Sequence, residues 1–199
     1  MLPEPSARPE SLGAFREIVA RIERALAGSP RRSLPLKMYV AGGAAMHLYT
    51  GERVSEDIDA VFSRRVSLPE NLEVAYRDAD GAARLLYFDR QYDDSLGLLH
   101  EDAHDDSMVL ELEGNDPKIV EVRLLSPLDL AVSKIGRLSD QDREDIAVLA
   151  RRGLVKSKAL RRRAEEAARG YVGDLERLHN SIDIACRIVE DAERRVPPR

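Results

Sequence analysis

The chain has one cysteine, Cys186, and no tryptophan among its 199 residues. A lone thiol cannot close an internal disulfide, so a reducing compartment is expected. With Ile182, Ala185, Ile188 and Val189 around it, Cys186 reads as a buried helical thiol rather than a nucleophile. Long apolar runs are also missing: none approaches a membrane span or a signal-peptide core, which leaves no expected membrane contact and a cytoplasmic location as the expectation. The formal net charge is −5, so no overall basic field attracts nucleic acid, and any such contact must be local. Aromatics make up only 5% against 34% charged and 43% hydrophobic residues. That is the balance of a charge-rich globular protein, long enough to bury a core as one domain with a helical appendage. The proline-bearing ends, 1–5 and 196–199, read as frayed.

Against these absences stands one dense stretch, Tyr39 to Phe62. A short apolar run (Met38, Tyr39, Val40, Ala41) breaks at Gly42-Gly43, passes through helically spaced Ala45, Met46, Leu48 and Tyr49, and ends in a second apolar run carrying Asp57 and Asp59. The order is strand, glycine turn, helix, strand. Residues two apart on a strand share a face, so the two carboxylates stand side by side and repel each other. A divalent cation relieves that repulsion, and all-oxygen ligands favour Mg²⁺ or Mn²⁺ over Zn²⁺. At the other end, glycines that open a helix let a phosphate approach its N–H groups. The plainer alternative is a turn and the wet face of an edge strand, but Ile58, Ala60, Val61 and Phe62 give the run the apolar character of a buried strand.

Gly42-Gly43 followed at this distance by Asp57-Ile58-Asp59 resembles the signature of the DNA polymerase β-like nucleotidyltransferase superfamily. With Ser55 just before the first aspartate, it looks most like the AbiEii and MenT group of toxin-type nucleotidyltransferases. The resemblance implies an α+β fold: a nucleotidyltransferase core with a mixed β-sheet and flanking helices over 1–125, then a C-terminal helical region over 126–199. It implies Mg²⁺ (or Mn²⁺) on Asp57 and Asp59, an NTP held by Gly42, Gly43 and Ser55, and transfer of an NMP to a hydroxyl of tRNA, another RNA or a protein side chain. A cognate antitoxin or toxin is the implied protein partner. A fold without turnover, serving as an interaction or antitoxin-like module, is the rival expectation.

The rest of the chain is read against that centre. Leu12, Phe15, Val19, Ile22 and Leu26 predict an amphipathic helix closed by Gly28-Ser29-Pro30. Leu72–Tyr76 and Leu85–Phe88 read as strands, and Asp89 to Asp106 as a long loop walling the active site. Alternation over Met108–Glu113 and Lys118–Leu124, with Gly114-Asn115-Asp116-Pro117 between, predicts a hairpin. In the superfamily a third acidic ligand comes from such a later strand, which makes Glu121 its candidate; the alternative is a surface Glu paired with Arg123. Ser126-Pro127 and Ser139-Asp140 open two helices. Lys134 and the run Asp142-Arg143-Glu144-Asp145-Ile146 resemble the group's second block, by which Lys134 would reach the triphosphate and Asp145 would act as an acid or orienting group. Solvated or dipole-matching roles are the alternatives. The basic stretch from Arg151 to Arg169 is either an RNA footprint or a solvated helix face, and Asp174 to Arg195 predicts a last amphipathic helix. His100-Glu101-Asp102-Ala103-His104 fits the zincin spacing only if helical, and its Gly97 and Asp105-Asp106-Ser107 flanks argue against that. His47 and His179 read as helix residues rather than ligands.

Overall fold

The computed structural model describes residues 5–195, so the frayed-end readings at 1–4 and 196–199 lie outside the described residues. The chain forms two compact units, 1–93 with 107–124, and 94–106 with 125–199. The first is a six-stranded mixed sheet and two helices, and the second is helical. This is the α+β arrangement that the sequence predicts.

In the first unit, helix α1 (Pro9–Leu26) starts with proline in its first turn and buries Phe15, Ile18, Val19, Ile22 and Leu26, the stripe its spacing predicts. Strand β1 (Leu36–Val40) runs into helix α2 (Gly42–Thr50), which ends at Gly51 in the left-handed conformation. Strand β2 (Asp57–Phe62) returns antiparallel to β1, with Met38, Tyr39 and Val40 opposite Phe62, Val61 and Ala60. Strands β3 (Glu73–Arg77) and β4 (Ala83–Asp89) form a hairpin. Its turn is built by Asp78, whose carboxylate accepts from the N–H groups of Asp80 and Ala82 and from Arg84 Nε, while Gly81 takes φ +79°. The strand order is β3-β4-β2-β1-β6-β5, with β2 parallel to β4 and β1 parallel to β6.

The predicted second hairpin forms, but its first arm is short: β5 is Met108–Val109, against β6 (Val120–Leu124). Glu111 to Glu113 leave the ladder because α1 captures the turn. Glu23 accepts from Asn115 Nδ2 and, at 2.8 Å, from the Asp116 N–H.

The second unit stacks α3 (Pro127–Ile135), α4 (Asp140–Arg151), α5 (Ser157–Ala168) and α6 (Leu175–Arg195). Ser126 caps α3 by accepting from the Asp129 N–H, and Ser139 with Asp142 makes a reciprocal capping box on α4, as the two serines predict. Residues 94–106 join these helices, burying Leu98 and Ala103. They form turns rather than an α-helix, so the zincin spacing has no helix to work on. His104 binds Asp94 at 2.8 Å, and His100 Nε2 lies 3.6 Å from Glu166. Cys186 is fully buried on α6, and burial pushes its thiol pKa up, which keeps it protonated and inert. No helix of the described residues is long and apolar enough to cross a membrane.

Candidate active site

The turn between β1 and α2 is shaped around β2. Gly42 has φ +55°, a backbone conformation that favours glycine. A Cβ placed there would stand 1.8 Å from Asp59 Oδ2, and one at Gly43 would stand 2.4 Å from Ser55 Oγ. The two glycines therefore admit the Asp59 carboxylate and the Ser55 hydroxyl against bare backbone. Ala41 closes the turn by donating its N–H to the Asp59 carbonyl at 2.8 Å. Being alanine, Ala41 provides no side-chain cap for α2, so the helix start is open to an outside acceptor.

On β2, Ile58 and Ala60 are buried while Asp57 and Asp59 are half-buried, so the carboxylates share the opposite face, as their spacing predicts. Ser55 Oγ donates to Asp57 Oδ1 at 2.6 Å. Parallel pairing with β4 sets Tyr87 beside Asp57 and Asp89 beside Asp59. In-register neighbours in a sheet point to one face, so Asp89 lies on the same face as the pair, next to Asp59. The Asp57 carboxylate, followed by burial and then Asp89, raises the Tyr87 pKa. Asp89 accepts from the Gln91 N–H and, among the described residues, neither it nor Asp57 has an ion pair. Asp89 was missed by sequence reasoning. Its signal was a lone acid ending the apolar run Leu85-Leu86-Tyr87-Phe88, but only the register with β2 gives that acid a meaning.

Glu121 does not join this group. Its register partner on β1 is Lys37, level with Ser63, whereas Asp59 is level with Ala41. Four residues of strand are about 13 Å. Glu121 instead accepts from Arg123 Nη1 at 2.7 Å, and Arg123 is held in turn by Ser107. The pair is part-buried.

Lys134 and Asp145 are buried in the second unit, where Lys134 Nζ donates to Asp145 Oδ2 at 2.6 Å and Gln141 Nε2 donates to Asp145 Oδ1. Asp142 is fully buried. Burial pushes its carboxyl up, but hydrogen bonds from Arg137 and Ser139 outweigh this and hold it down at about 2. Within the first unit the structure thus gathers Gly42, Gly43, Ser55, Asp57 and Asp59 and leaves Glu121 outside that group, and within the second it brings Lys134 to Asp145. Of the basic stretch, Arg151 pairs with Glu144, Arg161 with Asp183, and Arg163 with Asp106 and Asp129. His47 is a core residue: its Nε2 lies 2.7 Å from Ser11 Oγ, and burial lowers its pKa.

A glycine turn set against an Asp-x-Asp strand, on a mixed sheet with flanking helices, defines a nucleotidyltransferase-like α+β protein. The chain belongs to the family described as nucleotidyltransferase of unknown function (DUF6036), whose model matches residues 15–188. No curated protein matches the chain.

Proposed function

We propose that the chain moves an NMP from an NTP to a hydroxyl acceptor, and that Asp57 and Asp59 hold Mg²⁺ or Mn²⁺ while doing so. The observation that carries this reading is the contact between the Asp59 carboxylate and the bare backbone of Gly42. It puts a carboxylate pair and an open helix start in one site. The donors suit a hard cation, being all carboxylate oxygen. Bound there, the ion would offset charge on the α-phosphate and on the departing pyrophosphate.

Gly42 and Gly43 receive the phosphates at the start of α2, and Ser55 holds Asp57 in one orientation through its 2.6 Å hydrogen bond. The acceptor oxygen attacks the α-phosphorus, the bond to the β-phosphate breaks, and pyrophosphate leaves with that electron pair. Asp89 replaces Glu121 as the third carboxylate and takes the acceptor's proton, a role that suits an acid without an ion pair. Lys134 and Asp145 act on each other and position α3 against α4. The Gly-Gly turn with Ser55 supports placing the chain with AbiEii- and MenT-like enzymes, and with them a tRNA or other RNA acceptor, or a protein side chain, and a place in a toxin-antitoxin pair.

Incubation with each α-labelled NTP, Mg²⁺ and total RNA tests the reading. Label should enter RNA or protein and fall about 10³-fold in Asp57→Ala/Asp59→Ala. Label that survives the double substitution sinks it. A second reading, a binding module without turnover, is favoured by one observation: among the described residues no three His, Cys, Asp or Glu side chains are grouped to hold an ion. Mg²⁺-dependent NTP binding by the wild-type chain separates the two, since a decayed site should not bind.

A further inference from the structure

Beyond Asp59, β2 ends at Phe62 and the chain turns through Ser63-Arg64-Arg65. A groove of about 450 Å³ opens there, lined by the ends of β2 and β4 and by Arg64, Arg65, Asp89, Arg90 and Tyr92. Its volume is that of a small-molecule site, with room for a nucleotide or two and none for a duplex. Arg64 and Arg65 are exposed and, among the described residues, take no hydrogen bond or ion pair. Among the described residues Arg90 donates to the backbone carbonyls of Pro69 and Glu70 and has no ion pair. In a chain of net charge −5, these guanidiniums form a local cationic patch beside one acid of the proposed site. Adjacent cations repel unless a polyanion bridges them, and guanidinium groups match phosphate oxygens in pairs.

The triphosphate of the incoming nucleotide is a poor candidate for this groove. Its proposed seat, Gly42 and Gly43, lies against Asp59 and Ser55, whereas the guanidiniums of Arg64 and Arg65 line the groove beyond Phe62, at the end of β2. Three residues of strand, about 10 Å, separate Asp59 from that end. The basic helix α5 is a weaker footprint, because Arg161 and Arg163 are already paired with Asp183, Asp106 and Asp129.

We propose that this groove holds the end of a single-stranded nucleic-acid acceptor, with its backbone phosphates on Arg64, Arg65 and Arg90, a base against Tyr92 and its terminal hydroxyl toward Asp89. The assignment rests on the transferase reading above, and it names the acceptor class that reading leaves open.

Anisotropy with labelled random-sequence single-stranded RNA, and with DNA of the same length, tests it on the full chain. Arg64→Glu/Arg65→Glu should weaken binding at least tenfold near 0.1 M salt and lower the salt slope by about 1.4, the value for two single-strand phosphate contacts. Mg-NTP binding should stay within about twofold of wild type, and comparing the two probes tells whether RNA or DNA is the acceptor. Should charge reversal unfold the chain, Arg64→Gln/Arg65→Gln must show the same direction at smaller size. Lys158→Glu/Arg162→Glu on α5 should leave binding unchanged.

Four results overturn the proposal: no binding of either strand by wild type; binding lost through α5 and kept in the groove variant; label entering a protein acceptor independently of Arg64 and Arg65; or NTP and strand binding lost together in a folded groove variant. The last would give the groove to the triphosphate. Strand binding through the groove in a chain that fails to bind Mg-NTP counts instead against the transferase reading.

Discussion

The buried charges of the helical unit and the carboxylates beside the Gly42-Gly43 turn use the same residue type in opposite ways. In the helical unit, Lys134 meets Asp145, and Arg137 with Ser139 meets Asp142, so each buried charge is answered from within. On the sheet, among the described residues, Asp57 is met by a neutral hydroxyl and Asp89 by a backbone N–H, and both lie on the face that carries Asp59. Charges that answer one another hold helices together. Carboxylates such as Asp57 and Asp89, on one face and without an ion pair among the described residues, suit a cation from outside.

The contrast can be pressed hardest at Lys134. Replacing it with Met strands a buried carboxylate and should cost about 3–5 kcal/mol in urea unfolding. Adding Asp145→Leu should return much of that loss, because the buried charge that the double variant keeps, Asp142, still has Arg137. If Lys134→Met unfolds like wild type but loses transfer, the pair belongs to the chemistry and the division between the units breaks down.

A smaller effect is expected from Asp89→Asn, which should lower transfer about 10- to 100-fold and leave stability unchanged or raised. Glu121→Gln, outside the group, should stay within about twofold. The two rates, measured side by side with labelled NTP, decide which acid completes the site, and reversed effects would restore Glu121.

The smallest change concerns Asp142. Its folded pKa of about 2 lies below the ordinary 3.8, so the stability it contributes is present above about pH 4 and is lost as pH falls towards 2. Asp142→Asn should therefore cost on the order of 1–2 kcal/mol at neutral pH, discounted because Arg137 is largely exposed. The gap to wild type should close between about pH 4 and 2 in urea titrations. A gap independent of pH would mean that the capping geometry, not the charge, carries the effect.

What could be read in the sequence was what depends on near neighbours. Asp57 and Asp59 share a face because they are two apart, Gly42-Gly43 marks a turn on its own, and α1 follows from its periodicity. Glu121 and Asp89 show where that reach ends. Alternation places Glu121 on a strand but says nothing of its level against β1. Asp89 becomes a neighbour of Asp59 only through parallel pairing across thirty residues, and no local pattern encodes that register. Lys134 and Asp145 likewise meet across a turn between two helices, where spacing alone could not distinguish a phosphate ligand from a partner.

The contact between Gly42 and Asp59 also bears on how such a site can be lost. Any side chain at position 42 meets the carboxylate at 59, and a smaller residue at 59 would clear that space without relieving the backbone, which holds φ +55°. Loss of the acid at 59 therefore does not by itself free the glycine at 42.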